Sequence, residues 1–169
     1  DFVQKTDFDV EAKSVLVLKI SPDGSQTVVF EKNSKQQLPI ASLTKLMTAV
    51  VSLENQPLGR QVEITSSVVS QEGETGQLRE GEMIEVGELL KMALIESSND
   101  AAEALAEIYG RDPFVQLMNF KTKELGLRST SFSTPTGLEA ENSFSTSRDL
   151  ATLSAFILRN HPLIFEISS

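Results

Sequence analysis

The stretch Pro39-Ile40-Ala41-Ser42-Leu43-Thr44-Lys45 opens a compact apolar segment, which predicts a helix over residues 41–53. Ser42 and Lys45 are three residues apart, so they share one face of that helix. A serine hydroxyl becomes a good nucleophile when a base takes its proton, and a lysine can be that base when burial holds it neutral. The helix N-terminus adds backbone N–H groups that favour a developing oxyanion. The spacing is typical of a nucleophile–base pair, although a serine cap followed by a surface lysine has the same pattern.

A second polar cluster, Glu96-Ser97-Ser98-Asn99-Asp100, separates two stretches with helical periodicity. The first stretch covers residues 86–94, and the second covers 101–109 and stops at a glycine. A tight connection rich in hydroxyl and amide groups can serve simply to cap the following helix. The same groups suit catalysis, because Ser97 could relay a proton and the Asn99 amide could hydrogen-bond a peptide group of a substrate.

The remaining pattern predicts an α+β fold. The apolar run 14–20 and the segment 26–31 flank a turn signal at 21–25, so they predict a β-hairpin. Because the run 14–20 is apolar at nearly every position, it predicts a strand covered on both faces. Turns and short strands are predicted between residues 55 and 85, where glycine recurs at Gly73, Gly76 and Gly81.

Two further helices complete the predicted order of elements. Asp112-Pro113 predicts a helix start, with the aspartate as N-cap and proline in the first helical position, and Gly126 predicts its end. The last helix is predicted to begin at Thr146, with Asp149 as an acidic capping-box partner, and to end before Pro162. A hairpin followed mostly by helices is an α+β arrangement.

The composition restricts the classes of function. The chain has 169 residues, of which 40% are hydrophobic and 23% charged, and this suits one globular domain. Its net charge of −9 disfavours nucleic acid and anionic lipid as partners. With no cysteine and one histidine, His161, the sequence excludes thiol catalysis, zinc–thiolate sites and multi-histidine metal sites, and no metal or cofactor is predicted. His161 precedes a proline after a helical pattern, which indicates a helix boundary.

Together, the two polar clusters form an S-x-x-K motif followed 55 residues later by S-x-N between two helices. This pairing resembles the serine D-alanyl-D-alanine carboxypeptidases, which are low-molecular-mass penicillin-binding proteins. The resemblance extends over residues 38–49 and 88–107, and then over LGLRSTSF at 125–132, TGL at 136–138 and STSRDLA at 145–151. It implies a β-lactamase/DD-peptidase-like fold, with a mostly helical subdomain and the first strands of an antiparallel sheet.

The resemblance implies a role for each motif residue. Ser42 would be the acylated nucleophile, with its backbone N–H as half of the oxyanion hole, and Lys45 would be its general base. Ser97 would relay the proton to the leaving D-alanine amine, and Asn99 would orient the peptide carbonyl of the substrate. The family commonly has glycine where Ser98 lies. The implied substrates are peptidoglycan stem peptides ending in D-Ala-D-Ala outside the cytoplasmic membrane, and β-lactam antibiotics would acylate the same serine.

The third motif of the family, a K-T-G on a strand, does not occur in this sequence. Lys5-Thr6-Asp7 and Lys121-Thr122-Lys123 lack the glycine whose missing side chain lets a substrate lie along the strand edge. We therefore expect residues 1–169 to form the N-terminal portion of a single DD-peptidase domain with an incomplete sheet. A second chain or a swapped copy of this chain would complete the sheet, and this portion alone would have negligible activity.

Two alternatives stay open at this point. A class A β-lactamase shares the first two motifs, but it needs a deacylating glutamate with an asparagine four residues on. The nearest candidate is Glu139, and Ser143 lies at that distance while Asn142 is one residue short. The other alternative is a non-catalytic penicillin- or peptidoglycan-binding module that keeps the fold. The intact residues of both motifs argue against a loss of chemistry.

Overall fold

The computed structural model describes residues 10–21, 23–69, 78–138 and 142–168. Within these ranges, three short strands precede the first α-helix, and each of the other three strands lies between two helices. The strands are β1 (Val15–Ile20), β2 (Gln26–Lys32), β3 (Leu38–Pro39), β4 (Gln61–Glu63), β5 (Met83–Glu85) and β6 (Phe144–Ser145). The helices are α1 (Thr44–Asn55), α2 (Ser66–Val69), α3 (Val86–Ile95), α4 (Asn99–Glu107), α5 (Arg111–Glu124), α6 (Ser147–Asn160) and α7 (Leu163–Ile167).

The strands of the described residues form three antiparallel pairs, β1 with β2, β3 with β6, and β4 with β5. The β1–β2 pair is the predicted hairpin, and the α+β arrangement is confirmed. The prediction that β1 is covered on both faces is wrong for the described residues, since Val17 and Ile20 are 45% and 42% exposed. Side chains of a strand alternate between its two faces, so Val17 and Ile20 lie on opposite faces, and the packing of α6 against β1 leaves neither face fully covered.

The core is helical, and α4 lies within it. Helix α4 packs against α1, α2, α3 and α5, and its residues from Asn99 to Ala106 are all buried. Its four buried alanines let the neighbouring helices approach closely. Those neighbours contribute large, fully buried side chains: Met47, Val50, Val51, Leu89, Leu90, Phe114 and Met118. Each contributes roughly 1.5–3 kcal/mol by leaving water, and the packed core fixes the N-terminus of α1 beside the α3–α4 connection.

The predicted N-cap of α6 is confirmed, but the capping-box role of Asp149 and the predicted start of α5 are wrong. The Asp149 carboxylate accepts hydrogen bonds from the Ser129 N–H and the Thr130 hydroxyl, both at 2.8 Å, and does not bond back to the N-cap residue. Thr146 caps α6 as predicted, because its Oγ1 accepts from the Asp149 N–H at 3.0 Å. Helix α5 begins at Arg111, earlier than Asp112-Pro113 predicts, because Gly110 adopts a φ of +86° and serves as the N-cap. The proline is tolerated inside the first turn, where backbone N–H groups have no intrahelical acceptor.

Other boundaries agree in part with the sequence. His161 is the C-cap residue of α6, which confirms the predicted boundary, and its Nε2 lies 3.3 Å from Glu54 Oε1. The short helix α7 that follows was not predicted. Gly81 adopts a φ of +84° in the turn before β5, whereas Gly73 and Gly76 lie outside the described residues. Among the helices described, none has the length and apolar character needed to cross a bilayer.

Candidate active site

Ser42 and Lys45 lie where a 3-10 turn, Ala41–Leu43, leads into the first turn of α1. The predicted helix over 41–53 therefore starts with a tighter turn, because Ala41 has a φ of +45° that a regular α-helix does not contain. Lys45 Nζ lies 3.1 Å from Ser42 Oγ. Since Lys45 is only 2% exposed, the alternative of a surface lysine is excluded.

The α3–α4 connection brings Ser97 and Asn99 to the same place. Ser97 has a φ of +56°, a left-handed conformation that costs a non-glycine residue about 1–2 kcal/mol. Its Oγ lies 3.0 Å from Ser42 Oγ and 3.4 Å from Lys45 Nζ. Asn99 is the first residue of α4, and its Oδ1 accepts a hydrogen bond from Lys45 Nζ at 2.9 Å. Three side chains singled out from the sequence thus meet around the amine of the fourth, Lys45.

Ser98, between these two residues, caps helix α4. Its Oγ accepts a hydrogen bond from the Ala101 N–H at 3.1 Å, and the side chain is buried. The sequence is compatible with either a helix cap or a functional site in this cluster. In the structure, Ser98 caps the helix and the adjacent Ser97 belongs to the site. Capping by Ser98 leaves the Ser97 hydroxyl directed at Ser42 and Lys45.

The amine of Lys45 is buried among uncharged groups. Its described partners are the hydroxyls of Ser42 and Ser97, the amide oxygen of Asn99 and the main-chain carbonyl of Thr136. Burial disfavours the ammonium form and lowers the pKa of Lys45 from 10.5 to about 8. About a tenth of the molecules then carry a neutral amine at pH 7, compared with about 0.03% at the ordinary pKa. Lys45 is therefore suited to accept a proton near neutral pH.

The arrangement around Lys45 also orients its lone pair. A neutral amine has two N–H groups and one lone pair, and two of its four partners can only accept hydrogen bonds. These two acceptors are Asn99 Oδ1, at 2.9 Å, and the Thr136 carbonyl oxygen, at 3.3 Å. When they take the two N–H groups, the lone pair faces the hydroxyls of Ser42 and Ser97. Thr136 was not predicted as a site residue, because a main-chain carbonyl leaves no mark on the residue type.

Two cavities meet at Ser42 and Ser97. One, of about 280 Å³, is lined by the polar groups of Asn99 and Thr136 together with Gly137 and Leu138. The other, of about 340 Å³, is lined mainly by aliphatic side chains, namely Ile40, Leu43, Leu46, Ala93 and Leu94. A substrate that spans both cavities would place its scissile bond at the hydroxyl of Ser42.

The other sequence candidates that fall within the described residues form no second site. Lys121-Thr122-Lys123 lies inside α5, and Lys121 pairs with Glu54 and Glu124 at 2.7 and 2.6 Å, so its role is structural. Lys5-Thr6-Asp7 and Glu139 lie outside the described residues. In the ranges that the structure describes, no group of three or more histidine, cysteine or acidic side chains could hold a metal ion.

The fold and this cluster define the class of the protein: it has the β-lactamase-like fold of the DD-peptidases and penicillin-binding proteins. The family described as D-alanyl-D-alanine carboxypeptidase, peptidase S11, matches residues 2–169, and the chain belongs to this family. The resemblance identified from the two motifs is therefore confirmed.

Individual relatives agree with this assignment. The chain is 36% identical over 156 residues to the D-alanyl-D-alanine carboxypeptidase DacF of Bacillus subtilis, covering 88% of this chain and 39% of that protein. It is 37% identical over 154 residues to a D-alanyl-D-alanine endopeptidase of Pseudomonas aeruginosa, covering 89% and 49%. The crystal structure of the carboxypeptidase DacD from Francisella tularensis matches with a TM-score of 0.87 and 28% identity, over 99% of this chain and 42% of that one. The chain thus spans about two fifths to half of the length of these relatives.

Proposed function

We propose that the protein is a serine D-alanyl-D-alanine carboxypeptidase in which Ser42 carries the acyl group. The observation that carries the proposal is the triangle of Ser42 Oγ, Ser97 Oγ and Lys45 Nζ, with sides of 3.0, 3.4 and 3.1 Å. The lowered pKa of Lys45, to about 8, lets this triangle activate a hydroxyl near neutral pH.

Acylation follows from the positions of these three atoms. Ser42 Oγ attacks the carbonyl carbon of the penultimate D-alanine while its proton passes to Lys45 Nζ. The C–N bond to the terminal D-alanine then breaks, and Lys45 returns the proton through Ser97 Oγ to the leaving nitrogen. Water next attacks the ester carbon and gives up a proton to Lys45. The C–O bond to Ser42 breaks, Ser42 Oγ takes the proton back, and the shortened peptide leaves.

The substrate that we propose is a peptidoglycan stem peptide ending in D-Ala-D-Ala. The Asn99 amide, beside Lys45 in the polar cavity, would donate to the peptide carbonyl of the substrate, and the Ser42 N–H would supply half of the oxyanion hole. A β-lactam would acylate Ser42 in the same way, with its ring amide as the bond that breaks. Peptidoglycan places the proposed reaction outside the cytoplasmic membrane. The extent of the catalytic domain beyond residues 1–169, the inactivity of this portion alone, and the second or swapped chain stay predictions.

Labelling with a fluorescent penicillin tests this proposal in the natural full-length protein. We expect one covalent label per molecule in the wild type and none in Ser42→Ala. The matched control is Ser25→Ala, which removes a hydroxyl from the exposed hairpin turn and should label like the wild type. Persistent labelling of Ser42→Ala would remove the assignment of the nucleophile.

The fate of the label separates the alternatives. A long-lived adduct supports the carboxypeptidase, rapid release indicates a β-lactamase, and the absence of any adduct in the wild type indicates a binding module. Because the relatives include both carboxypeptidases and endopeptidases at similar identity, a second assay compares two substrates. D-alanine release from a stem pentapeptide supports carboxypeptidase activity. Cleavage restricted to a cross-linked dimer would replace it with endopeptidase activity.

A further inference from the structure

The segment 134–138, which contains the T-G-L stretch, takes no part in the steps above but contacts the base that performs them. Thr136 presents its main-chain carbonyl to Lys45 Nζ at 3.3 Å. The segment is held by its own hydroxyls, since Thr134 Oγ1 accepts from the Gly137 N–H at 2.8 Å and Thr136 Oγ1 accepts from the next N–H at 3.2 Å. These bonds give the 134–138 segment a defined shape.

Gly137 fixes how closely this segment approaches the nucleophile. It has a φ of +84°, and a Cβ at this position would lie 2.0 Å from the carbonyl oxygen of Ala41 and 2.7 Å from Thr44 Oγ1. Any other residue would force the backbone apart. The 134–138 segment therefore packs directly on Ala41, the residue that precedes Ser42, and it also contacts the base Lys45.

Thr48 is the anchor of this segment on α1. It lies one helical turn after Lys45, is fully buried, and its Oγ1 donates to the Pro135 carbonyl at 2.7 Å. The Pro135 carbonyl belongs to the peptide group directly before the one whose carbonyl faces Lys45. The bond from Thr48 therefore fixes the backbone next to the Thr136 carbonyl. The described side chains that face the Lys45 amine are uncharged, and burial is what lowers its pKa. The 134–138 segment can therefore affect this amine by controlling how much water reaches it.

We propose that Thr48 is a positioning residue for acylation: by anchoring the 134–138 segment it holds the Thr136 carbonyl on Lys45 and keeps water from the amine. The inference rests on the proposed function, because it concerns the base of that reaction. Without the Thr48 hydroxyl, the segment loosens and water replaces the Thr136 carbonyl as an acceptor for the amine. The ammonium form then keeps its hydrogen bonds and gains solvation, so the pKa of Lys45 rises, and the direction of its lone pair is no longer fixed. Fewer molecules then carry a neutral, correctly aimed base.

The test compares Thr48→Val, which keeps the shape of the side chain, with Thr48→Ser, which keeps the hydroxyl. The rate of acylation by a fluorescent penicillin is measured from pH 6 to 10 in the natural full-length protein, with the thermal midpoint as a check of folding. We expect Thr48→Val to move the midpoint of the pH profile up by about 1 unit. The rate at pH 7 then falls about tenfold, because the neutral fraction of Lys45 falls by that factor. Thr48→Ser should restore the wild-type profile.

A folded Thr48→Val protein with the wild-type pH midpoint would overturn the inference. A lower rate with an unchanged midpoint would mean that the substitution disturbs the site without changing the hydration of Lys45. If Thr48→Val does not fold, Thr134→Val tests the same segment, since it removes the acceptor of the Gly137 N–H. The same shift of the midpoint supports the inference, and an unchanged midpoint overturns it. A wild type that takes no label instead refutes the proposed function, so the two failures are distinguishable.

Discussion

The pH dependence of acylation follows from the burial of Lys45. With a pKa lowered to about 8, the neutral fraction of Lys45 is about 1% at pH 6, about 9% at pH 7, about half at pH 8 and about 90% at pH 9. The neutral form is the base, so activity rises with pH through the pKa. The acylation rate should therefore increase about tenfold from pH 6 to 7, increase more slowly to pH 8, and level off above pH 9.

The assay is single-turnover labelling with excess fluorescent penicillin, in buffers of constant ionic strength and at times short enough to avoid hydrolysis of the antibiotic. The control is Lys45→Arg, because a guanidinium stays protonated across this range and cannot act as a base. We expect this variant to acylate at least about a hundredfold more slowly at every pH, with no inflection near pH 8.

Two results would refute the reasoning. A rate that is constant from pH 6 to 9 would mean that no base titrates in this range. A rate that still rises tenfold per unit above pH 9 would mean that the pKa of Lys45 is near its ordinary 10.5 and that the amine is hydrated.

Three further predictions concern the relay, the charge of the base and a helix cap. Ser97→Ala should slow release of D-alanine from a stem peptide by about 10²-fold, because the proton path to the leaving nitrogen is lost; wild-type release would remove Ser97 from the mechanism. The pKa of Lys45 is about 8 in the folded protein and 10.5 in the unfolded chain, so burying the ammonium destabilises the fold. This destabilisation is fully present below pH 8 and is lost as the pH rises from 8 to 10.5. The unfolding free energy of the wild type relative to Lys45→Met should therefore increase by up to about 3 kcal/mol between pH 8 and 10.5, and a constant difference in urea titrations would contradict this. Thr146→Ala should cost about 1 kcal/mol by removing the cap on the Asp149 N–H, with Thr146→Ser as control, and equal stability of both variants would argue against the cap.

Much of the helical part was predictable because its signals are local. The apolar spacing of α3 and α4 and the Thr146 cap of α6 depend on residues within a few positions of each other. The prediction for β1 was wrong because coverage of a strand depends on distant elements. The start of α5 was also wrong, since Gly110 adopts a left-handed conformation that a glycine in the sequence permits but does not require.

Part of the candidate site was likewise predictable from local sequence, and part depended on tertiary packing. Ser42, Lys45, Ser97 and Asn99 were identified by residue type and spacing, because hydroxyl, amine and amide side chains carry the chemistry. Their convergence required the packing of α1 against α3 and α4, which spacing alone does not give. The contribution of the 134–138 segment could not be predicted, since it acts through a backbone carbonyl and through a contact that depends on the missing side chain of a glycine.

The central claim is that Ser42 takes the acyl group, and peptide mapping after reaction with benzylpenicillin tests it most directly. Ring opening expels no atoms, so the adduct adds the mass of one intact antibiotic molecule. Trypsin releases residues 36–45 as a peptide that contains one serine, Ser42. We expect the whole added mass on this peptide, with fragment ions that place it on Ser42. An adduct on any other peptide, or a full-length protein that takes no adduct, would contradict the account.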